Sequence, residues 1–176
     1  MTGRRRLVAA AVLVALAAAA IGGGVALLLR DDGATPAPTG LLGSVLAGAR
    51  PASAPFPGLT EVRLDIGGDC RRIVGADAGD ERATGLMRRT DLGAYDGMLF
   101  VFGGTTQGSF TMSTVPVALD IGFYDASGRP VDRLLMQPCP DRAVSECPAY
   151  RSRAPYDYAL ETLRDKLPAG GLSGCP

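Results

Sequence analysis

The sequence predicts an α+β domain, mostly β: a compact antiparallel sheet or barrel-like arrangement with one or two short helices, preceded by one transmembrane helix. Three observations predict it. Short apolar or alternating stretches recur with turn signals about every eight to twelve residues, the spacing of small β folds. Helical spacing is confined to two brief stretches, after Asp77 and after Thr162. An uncharged run of 23 residues, Leu7 to Leu29, is long enough at ~1.5 Å per residue to cross a ~30 Å hydrocarbon core.

The chain divides in that order. Residues 1–6 form a basic N-terminus carrying Arg4, Arg5 and Arg6, and residues 7–29 are the anchor or signal segment. An uncleaved anchor is favoured over a cleaved signal peptide, because apolar residues continue through Val25 to Leu29. Three arginines precede the span, whereas Arg30 is followed at once by Asp31 and Asp32. The positive-inside rule then keeps the N-terminus in the cytoplasm and sends the rest outside, to be secreted if the segment is cleaved. Residues 30–58, rich in Pro, Ala and Gly, read as a linker; within it Leu41 to Leu46 form a short helical turn or rest on the membrane. Residues 59–176 make one domain.

Val62, Leu64 and Ile66 alternate with Arg63 and Asp65, a strand with one buried face. Gly67-Gly68-Asp69 supplies a hairpin turn, and Cys70 to Val74 return antiparallel. Asp77 is the expected N-cap of a helix whose first turn holds Asp80 and Glu81 and whose apolar side is Ala83, Leu86 and Met87. Arg88 and Arg89 fall near its C-terminal end, where cations are favoured. Met98 to Phe102 is a continuous apolar run, the pattern of a strand covered on both faces, ended by Gly103 and Gly104. The alternation from Val115 to Phe123 predicts the next strand, with Val131 to Met136 pairing back across the turn at Asp125 to Gly128. Tyr156, Tyr158 and Leu160 mark a late strand, and Thr162 to Leu167 a brief helix before Pro168.

Composition restricts the chemistry. The chain is neutral overall, but setting aside the three leading arginines leaves 15 basic against 18 acidic residues, a net charge of −3. Nucleic acid is therefore not the expected partner, since phosphate binding needs a clustered positive surface. There is no histidine, so a Ser-His-Asp arrangement is excluded, and with no Cys-x-x-Cys pair neither a metal site nor a cofactor is expected. Cys70, Cys139, Cys147 and Cys175 all follow the span, and four cysteines allow three pairings. The favoured pairs are Cys139 with Cys147 and Cys70 with Cys175; the second closes a loop of about 105 residues, which the chain-entropy model values at roughly 4.7 kcal/mol.

Five residues are candidates for ligand binding. Asp120 lies on the face opposite Leu119 and Ile121, where a carboxylate binds a hydroxyl or serves as a base; its plainer uses are a solvated position on an open face or a cap on a neighbouring loop. Thr111 and Ser113 belong to the hydroxyl-rich stretch from Thr105 to Thr114, suited to a sugar groove and equally to satisfying backbone in turns. Arg88 and Asp96 complete the set. Paired carboxylates ~5–9 Å apart carry glycoside hydrolysis, and Asp96 with Asp120 is the pair on offer.

Several of these stretches share a likeness. Glu81-Arg82-x-x-Gly85-Leu86-Met87, Gly97-Met98-Leu99-Phe100 with Phe102, and Phe110-x-Met112 resemble the domain-of-unknown-function family 192, over roughly residues 62 to 165. The run from Pro138-Cys139-Pro140 to Cys147-Pro148 and Tyr150, then Tyr158-Ala159-Leu160-Glu161, is similar to an exported actinobacterial branch of it. The resemblance implies a small β-rich domain behind a signal or anchor, supports the Cys139–Cys147 pair, and implies no particular reaction. After Phe110 the family usually has an aromatic residue, Met, a basic residue, Asn or Asp, then Thr; here Thr111, Met112, Ser113, Thr114 and Val115 stand in those places. Together these readings predict a membrane-anchored extracytoplasmic binding or accessory module of the cell envelope. Its expected partners are the lipid bilayer through residues 7–29 and an envelope polysaccharide or membrane protein; the alternative is a carboxylate-dependent enzyme acting on envelope glycans.

Overall fold

Ten strands and two short helices make up the domain, and a computed structural model describes it over residues 43–176. The basic N-terminus, the span at 7–29 and the first part of the linker lie outside the described residues. Among those described, no helix is long and apolar enough to cross a membrane.

The elements are α1 (Gly43–Ala47), β1 (Arg50–Pro51), β2 (Thr60–Ile66), β3 (Asp69–Ala76), α2 (Gly79–Thr84), β4 (Gly97–Thr106), β5 (Ser109–Thr111), β6 (Leu119–Tyr124), β7 (Pro130–Met136), β8 (Ala149–Arg151), β9 (Tyr156–Leu163) and β10 (Leu172–Gly174). The main sheet runs β1-β2-β3-β4-β9-β6-β7, with β10 sharing the outer edge of β2, while β5 and β8 form a separate ribbon. The mostly-β expectation holds, with two refinements. The sheet is open, not closed into a barrel, although the Leu172 N–H reaches the Gly128 carbonyl at 2.8 Å. It is also mixed, because β3 and β4 pair in parallel, Ile73 opposite Gly97 and Ala76 opposite Phe100. The stretch between them, with α2 inside it, is long enough for a crossover, which a parallel pair requires.

Each face of the sheet carries its own core. On β4, Leu99 and Val101 face one way and Met98 and Phe100 the other. The first core joins Val62, Leu64 and Ile66 of β2 to Ile73, Tyr158, Leu160 and Leu172, with Val45 and Leu46 of α1 against it. The second joins Val74, Met98, Phe100, Ile121 and Phe123 to Leu86, Leu92, Tyr95, Met112 and Val115 from irregular segments. Phe123 lies 4.8 Å from Tyr156, and Phe100 lies edge-on to Phe110 at 5.1 Å.

Several local expectations are corrected. Residues 43–58, read as part of the linker, pack on the domain: β1 pairs with β2, and Ala52 and Phe56 are buried. Asp77 does not cap α2. Ala78 occupies that position, and the Glu81 carboxylate accepts the N–H groups of Asp77 and Ala78 at 3.0 Å each, taking over the first-turn donors. The helix stops at Thr84, before Leu86, Met87, Arg88 and Arg89, and Ala83 is exposed. Gly85 ends it at φ 44°, where a Cβ would meet the Phe100 ring at 3.2 Å. Gly103 and Gly104 do not end β4, which runs on to Thr106 through a register shift against β9. The strand expected from Val115 begins only at Leu119, since Pro116 cannot donate to a ladder. Thr162 and Leu163 complete β9 instead of opening a helix. Both favoured disulfides are present, Cys70–Cys175 and Cys139–Cys147, with Cα separations of 5.5 and 6.0 Å.

Candidate functional site

The five candidate residues fall in three places. Asp120 lies on the face predicted for it, but that face is covered and the side chain is only 7% exposed. Its Oδ2 accepts from the Arg133 guanidinium at 3.0 Å and from the Asp165 N–H at 2.9 Å, so it ties the turn after β9 to the sheet.

Arg88, Thr111 and Ser113 come together at a second place, where the turn after α2 meets the segment after β5. The Arg88 N–H donates to the Thr114 carbonyl at 2.9 Å, and the Thr114 N–H to the Cys139 carbonyl at 3.0 Å. The Ser113 hydroxyl donates to the Arg142 carbonyl at 2.7 Å, and Thr111 Oγ1 accepts the Ser113 N–H at 3.3 Å. These hydroxyls are therefore occupied in satisfying backbone groups. Arg88 and Thr114 both hold left-handed backbone, φ 58° and 60°, which is costly for a β-branched residue. Thr114 Oγ1 is buried without a partner among the described residues. The seam is packed against buried Met112 and Cys139.

Asp96 occupies the third place, a cleft of about 330 Å³ at the end of the sheet, lined with Arg71, Leu92, Tyr95, Leu163 and Lys166. Backbone pairing makes its floor rigid. The Asp96 N–H donates to the Arg72 carbonyl at 2.8 Å, and Asp96 Oδ2 accepts the Arg72 N–H at 3.0 Å. Behind it, the Arg72 guanidinium grips Glu61 through two bonds, 3.2 and 2.7 Å, and lies over the Tyr95 ring at 5.0 Å. That grip, above all, holds the Glu61 carboxyl below its ordinary range. The Tyr95 hydroxyl donates to Glu61 Oε2 at 3.2 Å and accepts the Ser53 N–H at 2.7 Å.

The cleft's charge is thus unevenly spent. Arg71 reaches Asp69 at 3.1 Å and Asp96 at 3.6 Å through its terminal nitrogens, yet its Nε is buried with no acceptor among the described residues. Lys166 is exposed and forms no ion pair among the described residues. Two cations and a single carboxylate line the cleft beside apolar Leu92 and Leu163. Asp96 lines the cleft, whereas Asp120, bonded to Arg133 and to the Asp165 N–H, is not among its lining residues. Among the described residues, no three His, Cys, Asp or Glu side chains gather to hold a metal.

Sequence reasoning passed over Arg71, Tyr95 and Leu163. Lys166, the chain's lone lysine, was not among the candidates either. It also passed over Glu161, which sits on β9 between Met98 of β4 and Ile121 of β6. The residue is 4% exposed, and burial alone pushes its carboxyl up to about 8.

The chain matches the DUF192 family, described as Uncharacterized ACR, over residues 62–173. No curated protein matches it. A crystal structure of a protein of unknown function from Novosphingobium aromaticivorans is similar at a TM-score of 0.58 and 26% identity, covering 72% of this chain and 92% of the other. A candidate transcription regulator from Sinorhizobium meliloti is similar at a TM-score of 0.52 and 24% identity, covering 64% and 89%, a likeness of fold alone.

Proposed function

This chain belongs to the DUF192 family, whose matched span holds all six residues of the cleft, and from that premise we propose a binding or accessory module of the cell envelope. Residues 7–29 tether it to the membrane with the domain outside the cytoplasm, and the cleft takes an anionic group of an envelope polysaccharide. The uncharged run behind three arginines and the pair of disulfides support the compartment. The observation that carries the binding reading is exposed Lys166, without an ion pair among the described residues, beside the Arg71 guanidinium in the cleft. A ligand carboxylate or phosphate pairs with Lys166 and shares the Arg71 guanidinium, and Leu92 and Leu163 offer the apolar edge on which a sugar ring rests.

Calorimetric titration of the full chain in detergent, with a uronate-bearing oligosaccharide and its neutral analogue, tests the reading. The acidic glycan binds and the neutral one does not. Arg71→Gln weakens binding by about 1.5–3 kcal/mol, the value of a charged hydrogen bond and roughly 10- to 100-fold in Kd. Equal affinity for the two glycans, or unchanged binding in a folded Arg71→Gln variant, overturns it.

A further inference from the structure

The two disulfides sit in different surroundings. Cys139 is 5% exposed within the second core, with Cys147 packed against it. Cys70 is exposed, and the Arg63 guanidinium donates to its sulfur, Nε to Sγ 3.4 Å. Cys175 lines a separate cleft of about 360 Å³ together with Val45, Arg50, Glu61, Arg63 and Gly174. Glu61 is already held by Arg72 and Tyr95, so among the described residues the cations that line this cleft without an ion pair are Arg50 and Arg63. Both cysteines can therefore be approached, exposed Cys70 from solvent and half-buried Cys175 from the cleft, and Cys70 has the Arg63 guanidinium on its sulfur.

A disulfide opens when a thiolate attacks one sulfur and the other leaves, faster when the leaving thiol is the stronger acid. A guanidinium beside a sulfur stabilises its thiolate. Arg63 marks Cys70 as the leaving group, which makes Cys175 the sulfur attacked, and the cleft gives that attack its approach. We propose that Cys70–Cys175 is an exchange site for a small thiol that carries a carboxylate. The incoming thiolate forms a bond to Cys175 Sγ and the Cys70–Cys175 bond breaks. The electron pair stays on Cys70 Sγ beside Arg63, and the proton of the incoming thiol has passed to solvent. A mixed disulfide replaces the internal one, so no net oxidant or reductant is consumed. Arg50 receives the carboxylate of the thiol. The step opens the covalent tie across 105 residues and leaves the Cys139–Cys147 loop closed.

The test treats the oxidised full chain, in detergent at pH 8, with excess glutathione or with cysteamine, a thiol lacking a carboxylate. Acid quenching, alkylation and peptide mass spectrometry then locate every thiol. Glutathione is found on Cys175 and the alkyl group on Cys70, at a rate at least about tenfold above any opening of Cys139–Cys147. Glutathione outpaces cysteamine severalfold, and Arg63→Gln slows the reaction while Arg63→Lys restores part of the rate. An adduct on Cys70, equal opening of the two bridges, or a rate indifferent to Arg63→Gln overturns the exchange site. Cysteamine reacting as fast as glutathione overturns the carboxylate requirement.

Discussion

The two faces of the sheet are built from the same strands but covered by different means. The first core is closed by regular structure, with β10 paired to β2 and α1 laid over it, so backbone groups find partners in ladders. The second is closed by irregular stretches that bring Leu86, Leu92, Tyr95, Met112 and Val115 onto the sheet. There the backbone is satisfied by side chains and by strained turns. Glu161, the left-handed pair Arg88 and Thr114, and the partnerless Thr114 hydroxyl all belong to that side or its cover. The contrast is one of degree, since the first face also holds buried Asp120 and the left-handed turn at Asp165, and irregular cover is where function resides most readily.

The largest effect that can break this contrast lies at Glu161. Its carboxyl is pushed from 4.5 to about 8 in the folded protein, so the native state holds a proton that the unfolded chain has released. That contribution is complete below about pH 4.5 and is lost as pH rises through about 8. Glu161→Gln is therefore more stable than the wild type at pH 8 and above, by on the order of a few kcal/mol, with the advantage gone near pH 4.5. Urea melts across pH measure it, and a pH-independent difference breaks the assignment.

Asp132 gives the next effect. Its side chain is fully buried on β7 and accepts from the Arg153 N–H at 2.8 Å, from the Arg153 guanidinium at 2.8 Å and from the Arg133 N–H at 2.9 Å. The Arg153 side chain first, with these N–H groups, lowers its carboxyl to about 2. That stability is present above pH 3.8 and is lost as pH falls through about 2. Asp132→Ala costs about 2–3 kcal/mol at neutral pH and flattens the acid limb of the stability profile. Asp120→Ala follows at about 1–2 kcal/mol, because it frees the Asp165 N–H beside Lys166. Urea melts of the folded variant measure it, and an unchanged midpoint would remove Asp120 as the anchor of that turn. Thr114→Gly is the smallest: relief of a left-handed β-branched residue stabilises by about 1 kcal/mol, read as a higher melting temperature.

The candidate site was legible only in fragments. Asp96 was singled out, but its neighbours Arg71, Tyr95, Leu163 and Lys166 come from the start of β3, the approach to β4, the end of β9 and the turn beyond it. No spacing in the chain encodes that meeting. The hydroxyls at Thr111 and Ser113 pointed to a groove by composition, and the structure turns them onto the backbone of Arg142 and of Ser113 itself. Asp120 was correctly assigned a face, but a strand's alternation does not reveal whether a second layer covers that face.

Local periodicity was enough for β2 and β4, since one buried face produces alternation and two produce a continuous apolar run. Recurring short stretches were enough for the mostly-β class and quoted motifs for the family resemblance, and both favoured cysteine pairs are present. Tertiary structure decided the parallel return of β4, the open sheet, the packing of residues 43–58 and the convergence of two cations on one cleft. The physical reason is range. Side-chain alternation is dictated by neighbours along the chain, whereas register, cover and unpaired charge depend on which distant segments compete for the same buried surface.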